Sequence, residues 1–123
     1  MAKILVIEDD VMLRNTIEKI LRHGGFEVVL AEDGARGLTS FRSERPDLVL
    51  TDIIMPEREG IATIVEIRRE RPDAKIIAMS GGGRIGSADF LGMARKLGAD
   101  DIIAKPFLPQ DLIGRITACL SGT

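Results

Sequence analysis

Five short aliphatic runs alternate with stretches whose apolar residues recur at helical spacing, and this alternation constrains the fold more than any other feature. The runs are Lys3–Ile7, Phe26–Ala31, Asp47–Asp52, Lys75–Ser80 and Asp101–Ala104. Between and after them come Leu13, Ile17, Ile20 and Leu21, closed by Gly24-Gly25; Ala35, Leu38 and Phe41, closed before Pro46; and Ile61, Ile64, Val65 and Ile67, closed by Pro72. A fourth set is Leu91, Ala94 and Leu97 with Gly98 as C-cap, and a last is Leu112, Ile113, Ile116, Cys119 and Leu120. Strands joined through helices run parallel, because a parallel crossover needs a helix and is right-handed. The pattern therefore predicts an α/β fold, a five-stranded parallel sheet with helices on both faces. The run Leu48-Val49-Leu50 is apolar throughout, as expected of a strand buried on both sides.

With 123 residues, the chain is expected to form one domain spanning 1–123, with no repeat, linker or second domain. Its 17 basic residues are matched by 19 acidic ones, which leaves no positive field for nucleic acid. Cys119 is the only cysteine and falls on an apolar stripe, so we expect core packing and no disulfide. Met1-Ala2-Lys3 leads straight into a strand without a signal-peptide pattern, and no apolar run reaches membrane length. The expectation is a soluble, cytoplasmic domain.

Parallel strands present their carboxyl ends on one edge, which is where open α/β sheets carry out their chemistry. That edge collects Glu8 and Asp9 after the first run, Asp52 at the end of the third, Ser80 after the fourth and Lys105 after the fifth. Carboxylates so close repel unless a cation neutralises them, and an all-oxygen donor set suits a hard divalent ion such as Mg²⁺. A lysine and a hydroxyl beside that ion are what a phosphoryl group in transfer requires. One carboxylate can then act as nucleophile and form an acyl phosphate.

These residues stand in motifs: Ile4-Leu5-Val6-Ile7-Glu8-Asp9-Asp10, Asp47-Leu48-Val49-Leu50-Thr51-Asp52-Ile53-Ile54-Met55-Pro56, Met79-Ser80-Gly81, and Gly98-Ala99-Asp100-Asp101 leading to Lys105-Pro106-Phe107. In this order and spacing the chain resembles, along its whole length, the receiver domain of bacterial two-component response regulators, in a stand-alone, chemotaxis-regulator-like form. The resemblance implies a doubly wound, flavodoxin-like sheet of strand order 2-1-3-4-5. It implies that Asp52 accepts a phosphoryl group from a histidine kinase or phosphotransfer protein. Mg²⁺ would be held by Asp9, Asp52 and the backbone carbonyl of Ile54, with Glu8 reaching the ion through water. Ser80 and Lys105 would contact the phosphoryl group, the Lys105–Pro106 bond would be cis, and Asp10 would start the following helix.

Some positions depart from the family pattern. Ser80 stands where many members have Thr, and Ile102 where they have Tyr or Phe. Ser80 keeps the switch hydroxyl, but Ile102 cannot provide the aromatic ring that follows it inward, and it reads as one more buried aliphatic residue. The signal is then expected to leave through the glycine-rich loop Gly81–Gly86 and the helix after it. Ile54 and Gly82 replace the polar side chains that influence the hydrolytic water, which implies slow self-dephosphorylation. His23 reads as a favourable helix-terminal residue and the Glu66–Arg71 charge cluster as a solvated helix face.

The function expected is a phosphorylation-controlled signalling switch, assisting only its own phosphorylation and dephosphorylation. Output would pass by protein contact, through a face around residues 87–120, or by onward phosphotransfer. The alternative is a degenerate receiver that binds partners independently of phosphorylation; it would predict loss of the acids or the lysine, and all are present. A haloacid-dehalogenase-like phosphatase would need a second Asp at position 54, where Ile54 stands. Flavin binding would need aromatic residues to stack on the ring, and these are 3% of the chain.

Overall fold

The computed structural model describes residues 1–53, 59–81, 96 and 98–122. Its elements are β1 (Lys3–Ile7), α1 (Val11–His23), β2 (Glu27–Ala31), α2 (Gly34–Glu44), β3 (Leu48–Asp52), α3 (Glu59–Glu70), β4 (Ile76–Gly81), β5 (Asp101–Lys105) and α4 (Pro109–Leu120). The expected helix with Leu91, Ala94 and Leu97 and the loop Gly82–Gly86 lie outside the described residues. The five strands form one parallel sheet in the order β2-β1-β3-β4-β5. Pairing runs Ile7 against Thr51, Asp52 against Met79 and Gly81 against Lys105, so the strand ends come level at the carboxyl edge.

Alternate residues of each strand feed two core layers, as the two-residue period of a strand requires. Leu5, Ile7, Val49, Ile76, Ala78 and Ile102 pack with Phe41 of α2 and Ile64 and Ile67 of α3. Ile4, Val6, Leu48, Leu50, Ile77, Met79 and Ile103 pack with Ile17 and Leu21 of α1 and Leu112 and Ile116 of α4. Every residue of β3 is buried, because both its faces and both its edges are covered. Each fully buried Leu or Ile contributes about 1.5–3 kcal/mol relative to exposure.

The helix ends follow from local chemistry. Asp10 caps α1 by accepting from the Leu13 N–H at 3.1 Å, and Asp33 caps α2 by accepting from Arg36 at 2.7 Å. The helix α1 closes at Gly24, and His23 stands exposed in its last turn.

Three expectations about helix faces need correction. In α3, Ile64 and Ile67 are buried, but Ile61 and Val65 are 36% and 45% exposed. The inward stripe is Gly60, Thr63, Ile64 and Ile67; glycine sits on it at the start of the helix because the backbone there comes too close to the end of β3 for a side chain. In α2, Ala35 faces outward while Gly34 and Gly37 are buried beside Phe41. A Cβ on Gly37 would lie 2.4 Å from Ile7 Cδ1, so this glycine sets how closely α2 approaches β1. The charged end of α3 is also more than a solvated face. The Arg68 guanidinium donates to the carbonyls of Gly98, Pro72 and Ala74 and to Asp100 at 2.6–3.0 Å, and Arg71 lies over the Phe41 ring at 5.4 Å. Glu70 is held by Arg42, which ties α3 to α2.

Candidate functional site: an acidic cluster bridged by a lysine

Four strands deliver the side chains. The chain leaving β1 carries Glu8 and Asp9, β3 ends on Asp52, β4 carries Ser80, and β5 ends on Lys105. Glu8, Asp52 and Ser80 are buried, whereas Asp9 is exposed. One carboxylate oxygen from each of Glu8, Asp9 and Asp52 lies within 4.8 Å of the other two. Asp10 stands apart, its carboxylate committed to the α1 cap.

Lys105 reaches across the sheet into this cluster. Its Nζ lies 2.8 Å from Glu8 Oε1 and 2.8 Å from Asp52 Oδ2, bridging the ends of β1 and β3. The second oxygen of Glu8 accepts from the Asp10 N–H at 3.1 Å. Burial pushes the Glu8 carboxyl above its ordinary range, and the Lys105 hydrogen bond only partly offsets this. Burial pulls the opposite way on Lys105, but its hydrogen bonds to Asp52 and Glu8 outweigh it, and the ammonium is held more firmly than in water. With all groups ionised, three carboxylates face one ammonium, and the surplus negative charge favours a further cation.

The hydroxyl of Ser80 is buried and has no hydrogen-bond partner among the described residues. Such a group costs about 1–3 kcal/mol, which a fold tolerates where the group meets a ligand. The Lys105–Pro106 peptide is cis. Ile102 is 7% exposed and packs in the layer under α3, as an aliphatic core residue would. Ile54 and Gly82 lie outside the described residues, and so does much of the face around residues 87–120.

Gly60 was not singled out by sequence, although it shapes the site. A Cβ there would lie 2.2 Å from the carbonyl oxygen of Asp52 and 2.8 Å from Ile53 Cα, so only glycine lets α3 start against the end of β3. The available signal was its place in the first turn of a helix that follows an acid-terminated strand. On the rim, Met12, Leu13, Ile20, Pro106, Phe107 and Pro109 line an apolar groove of about 770 Å³ that reaches Lys105.

The donor set fits a hard divalent ion: three carboxylates converge, and one of them is exposed to solvent. Among the described residues, no helix is long and apolar enough to cross a membrane.

Sequence and structure comparisons agree with this geometry. The response regulator receiver domain family matches residues 4–117, and the chain belongs to that family. A probable transcriptional regulator, ycf27, of Cyanophora paradoxa is 40% identical over 121 residues, covering 98% of this chain and 49% of that protein. The transcriptional regulatory protein PrrA of Mycobacterium tuberculosis is 35% identical, over 96% of this chain and 49% of its own length. The chain thus spans about half the length of these curated relatives. Among solved structures, a receiver domain protein from Clostridium thermocellum superposes with a TM-score of 0.87 at 32% identity, covering 98% and 95% of the two chains. A CheY-like receiver domain protein from Methanospirillum hungatei gives 0.87 at 30% identity, covering 99% and 95%. Membership of the receiver-domain family supports a phosphorylation-controlled signalling role for this chain.

Proposed function

We propose that Asp52 is the phosphoacceptor. A carboxylate oxygen of Asp52 attacks the phosphorus of a partner's phosphohistidine. The P–N bond breaks, the imidazole keeps the electron pair and later takes up a proton, and an aspartyl phosphate results. Lys105, already 2.8 Å from Asp52, is placed to neutralise charge on the phosphoryl oxygens, and the Ser80 hydroxyl to donate a hydrogen bond to one of them. Glu8, Asp9 and Asp52 would hold Mg²⁺, together with the carbonyl of Ile54 that the family resemblance adds. When bound, the ion neutralises the cluster and lends positive charge to the transferring group. The chain turns over no separate substrate; it assists only its own phosphorylation and dephosphorylation.

The observation that carries this reading is the pairing of a half-buried lysine shared by two acids with a serine hydroxyl on the same sheet edge that has no partner among the described residues. A module that only bound partners would not require either. The donor must bring its histidine to this edge, and the apolar groove beside Lys105 offers it a surface to rest on.

The test is incubation with acetyl phosphate and with a histidine-kinase donor, with and without Mg²⁺, followed by intact-mass measurement of wild type and Asp52→Asn. A Mg²⁺-dependent gain of one phosphoryl mass, absent in the variant, is expected. No gain from either donor would leave the phosphorylation-independent binding module in its place.

A further inference from the structure

Arg14 lies one turn into α1, and its Nη1 donates to the carbonyl oxygen of Glu8 at 2.8 Å. The phosphotransfer chemistry above makes no use of it. The bond falls at a sensitive point, however. The register of β1 with β3 ends at Ile7 and Thr51, so Glu8 lies just past the paired stretch. Its N–H is already committed to the Ala31 carbonyl at 3.1 Å, and its carboxylate to Lys105 and the Asp10 N–H. The Glu8 carbonyl shares one planar peptide with the Asp9 N–H. A donor fixed on that carbonyl therefore sets the plane from which Asp9 departs, and Asp9 is the exposed member of the acidic cluster.

We propose that Arg14 is a positioning residue: by holding the Glu8 carbonyl it fixes the Glu8–Asp9 peptide and so tunes the affinity of the acidic cluster for a divalent cation. The proposal rests on the reading that Glu8, Asp9 and Asp52 hold Mg²⁺. A planar, permanently charged guanidinium suits the task, because it can hold one carbonyl in a fixed direction; an ammonium could still donate, with less directional control. The sign of the effect separates positioning from charge. Removing a cation beside three carboxylates would by Coulomb's law alone tighten a divalent ion. Loss of positioning weakens it.

The experiment is calorimetric titration of the full chain with Mg²⁺, for wild type, Arg14→Met, Arg14→Lys and Arg36→Met. Arg36 lines the same groove between α1 and α2 but pairs with Glu32 and Asp33, so it serves as the control. Outer-shell partners of metal ligands are worth about 10–100-fold in affinity. Arg14→Met is expected at the low end, about tenfold weaker, with Arg14→Lys recovering most of the loss and Arg36→Met at the wild-type value. The Asp9 amide resonance should also move in Arg14→Met before any Mg²⁺ is added. Affinity in Arg14→Met equal to or tighter than wild type would overturn the proposal, as would a drop in unfolding midpoint without a change in affinity. Should Arg14→Met not fold, Arg14→Gln takes its place: weaker Mg²⁺ binding at an unchanged unfolding midpoint supports positioning, and binding equal to or tighter than wild type refutes it. A wild-type chain that takes up no Mg²⁺ would instead overturn the reading of the site, and positioning with it.

Discussion

Replacing Ser80 by alanine should make the protein more stable and less able to be phosphorylated, two effects of opposite sign from one oxygen atom. The hydroxyl is fully buried and finds no partner among the described residues. Desolvating it without a hydrogen bond costs about 1–3 kcal/mol, all of which the alanine variant recovers. Against that stands the loss of one atom's dispersion contacts. Several pairs at about 0.1–0.2 kcal/mol each amount to roughly 1 kcal/mol. The net gain is about 1 kcal/mol, which for a chain of this length raises Tm by about 4 °C. In the transferring phosphoryl group, the same hydroxyl would meet a charged oxygen. Loss of such a donor typically lowers a rate by about 10²-fold or more, and we expect on the order of tenfold to hundredfold here, since Lys105 remains. The chain has no Trp or Tyr, so unfolding is best followed by far-ultraviolet circular dichroism, and the phosphorylation rate by intact mass with acetyl phosphate. Ser80→Thr, which keeps the hydroxyl, should retain the rate and lose some stability to overpacking. A Ser80→Ala variant destabilised by more than about 1 kcal/mol would show that the hydroxyl is bonded after all. An unchanged phosphorylation rate would show that it never meets the phosphoryl group.

Gly60→Ala should cost about 2–4 kcal/mol in urea unfolding, since its Cβ would strike the backbone of Asp52 and Ile53, where no rotamer gives relief; a neutral result would mean that α3 can shift away from β3 freely. Lys105→Met should cost about 2–3 kcal/mol by leaving Glu8 and Asp52 without their shared cation, and millimolar Mg²⁺ should restore much of this. If Mg²⁺ leaves that variant's midpoint unchanged, the acids do not form a cation site. Burial raises the Cys119 thiol above its ordinary 9.0, with Asp100 adding to the effect, so iodoacetamide should modify it more slowly than free cysteine at pH 8. The associated stability is fully present below about pH 9.0, the unfolded value, and is lost as pH rises through the folded one. A thiol titrating at or below the free value would contradict this.

Strand existence and type were legible because each run, such as Leu48-Val49-Leu50, is short, apolar and bounded by turn or acid residues. The gathering of Glu8, Asp9, Asp52, Ser80 and Lys105 on one edge followed from parallel strands alone. The order of the strands did not, because periodicity carries no information about which strand pairs with which; it came through family resemblance. Helix faces were misjudged where packing overrides hydrophobicity. Ile61 and Val65 turned out exposed and Gly60 and Thr63 buried; at Gly60 the close approach to the end of β3, not apolar character, selected the residue. Arg68 looked like an ordinary surface charge, and nothing in the sequence singled out Arg14. Apart from the Asp100 carboxylate beside Arg68, their partners are backbone carbonyls, which every residue carries, so no pairing of residue types could reveal those bonds.

The lysine bridge also bears on how the protein matures. Lys105 and Glu8 are separated by 97 positions, and the residues that meet at the sheet edge come from four strands spread along the chain. Closing so long a loop is costly before the intervening strands have paired. A nascent or partly folded chain has neither the cation nor the neighbouring acids beside Asp52. Competence to receive a phosphoryl group should therefore appear only with completion of the fifth strand. Fragments, stalled chains and misfolded copies would then be silent in the signalling pathway without any separate mechanism to exclude them.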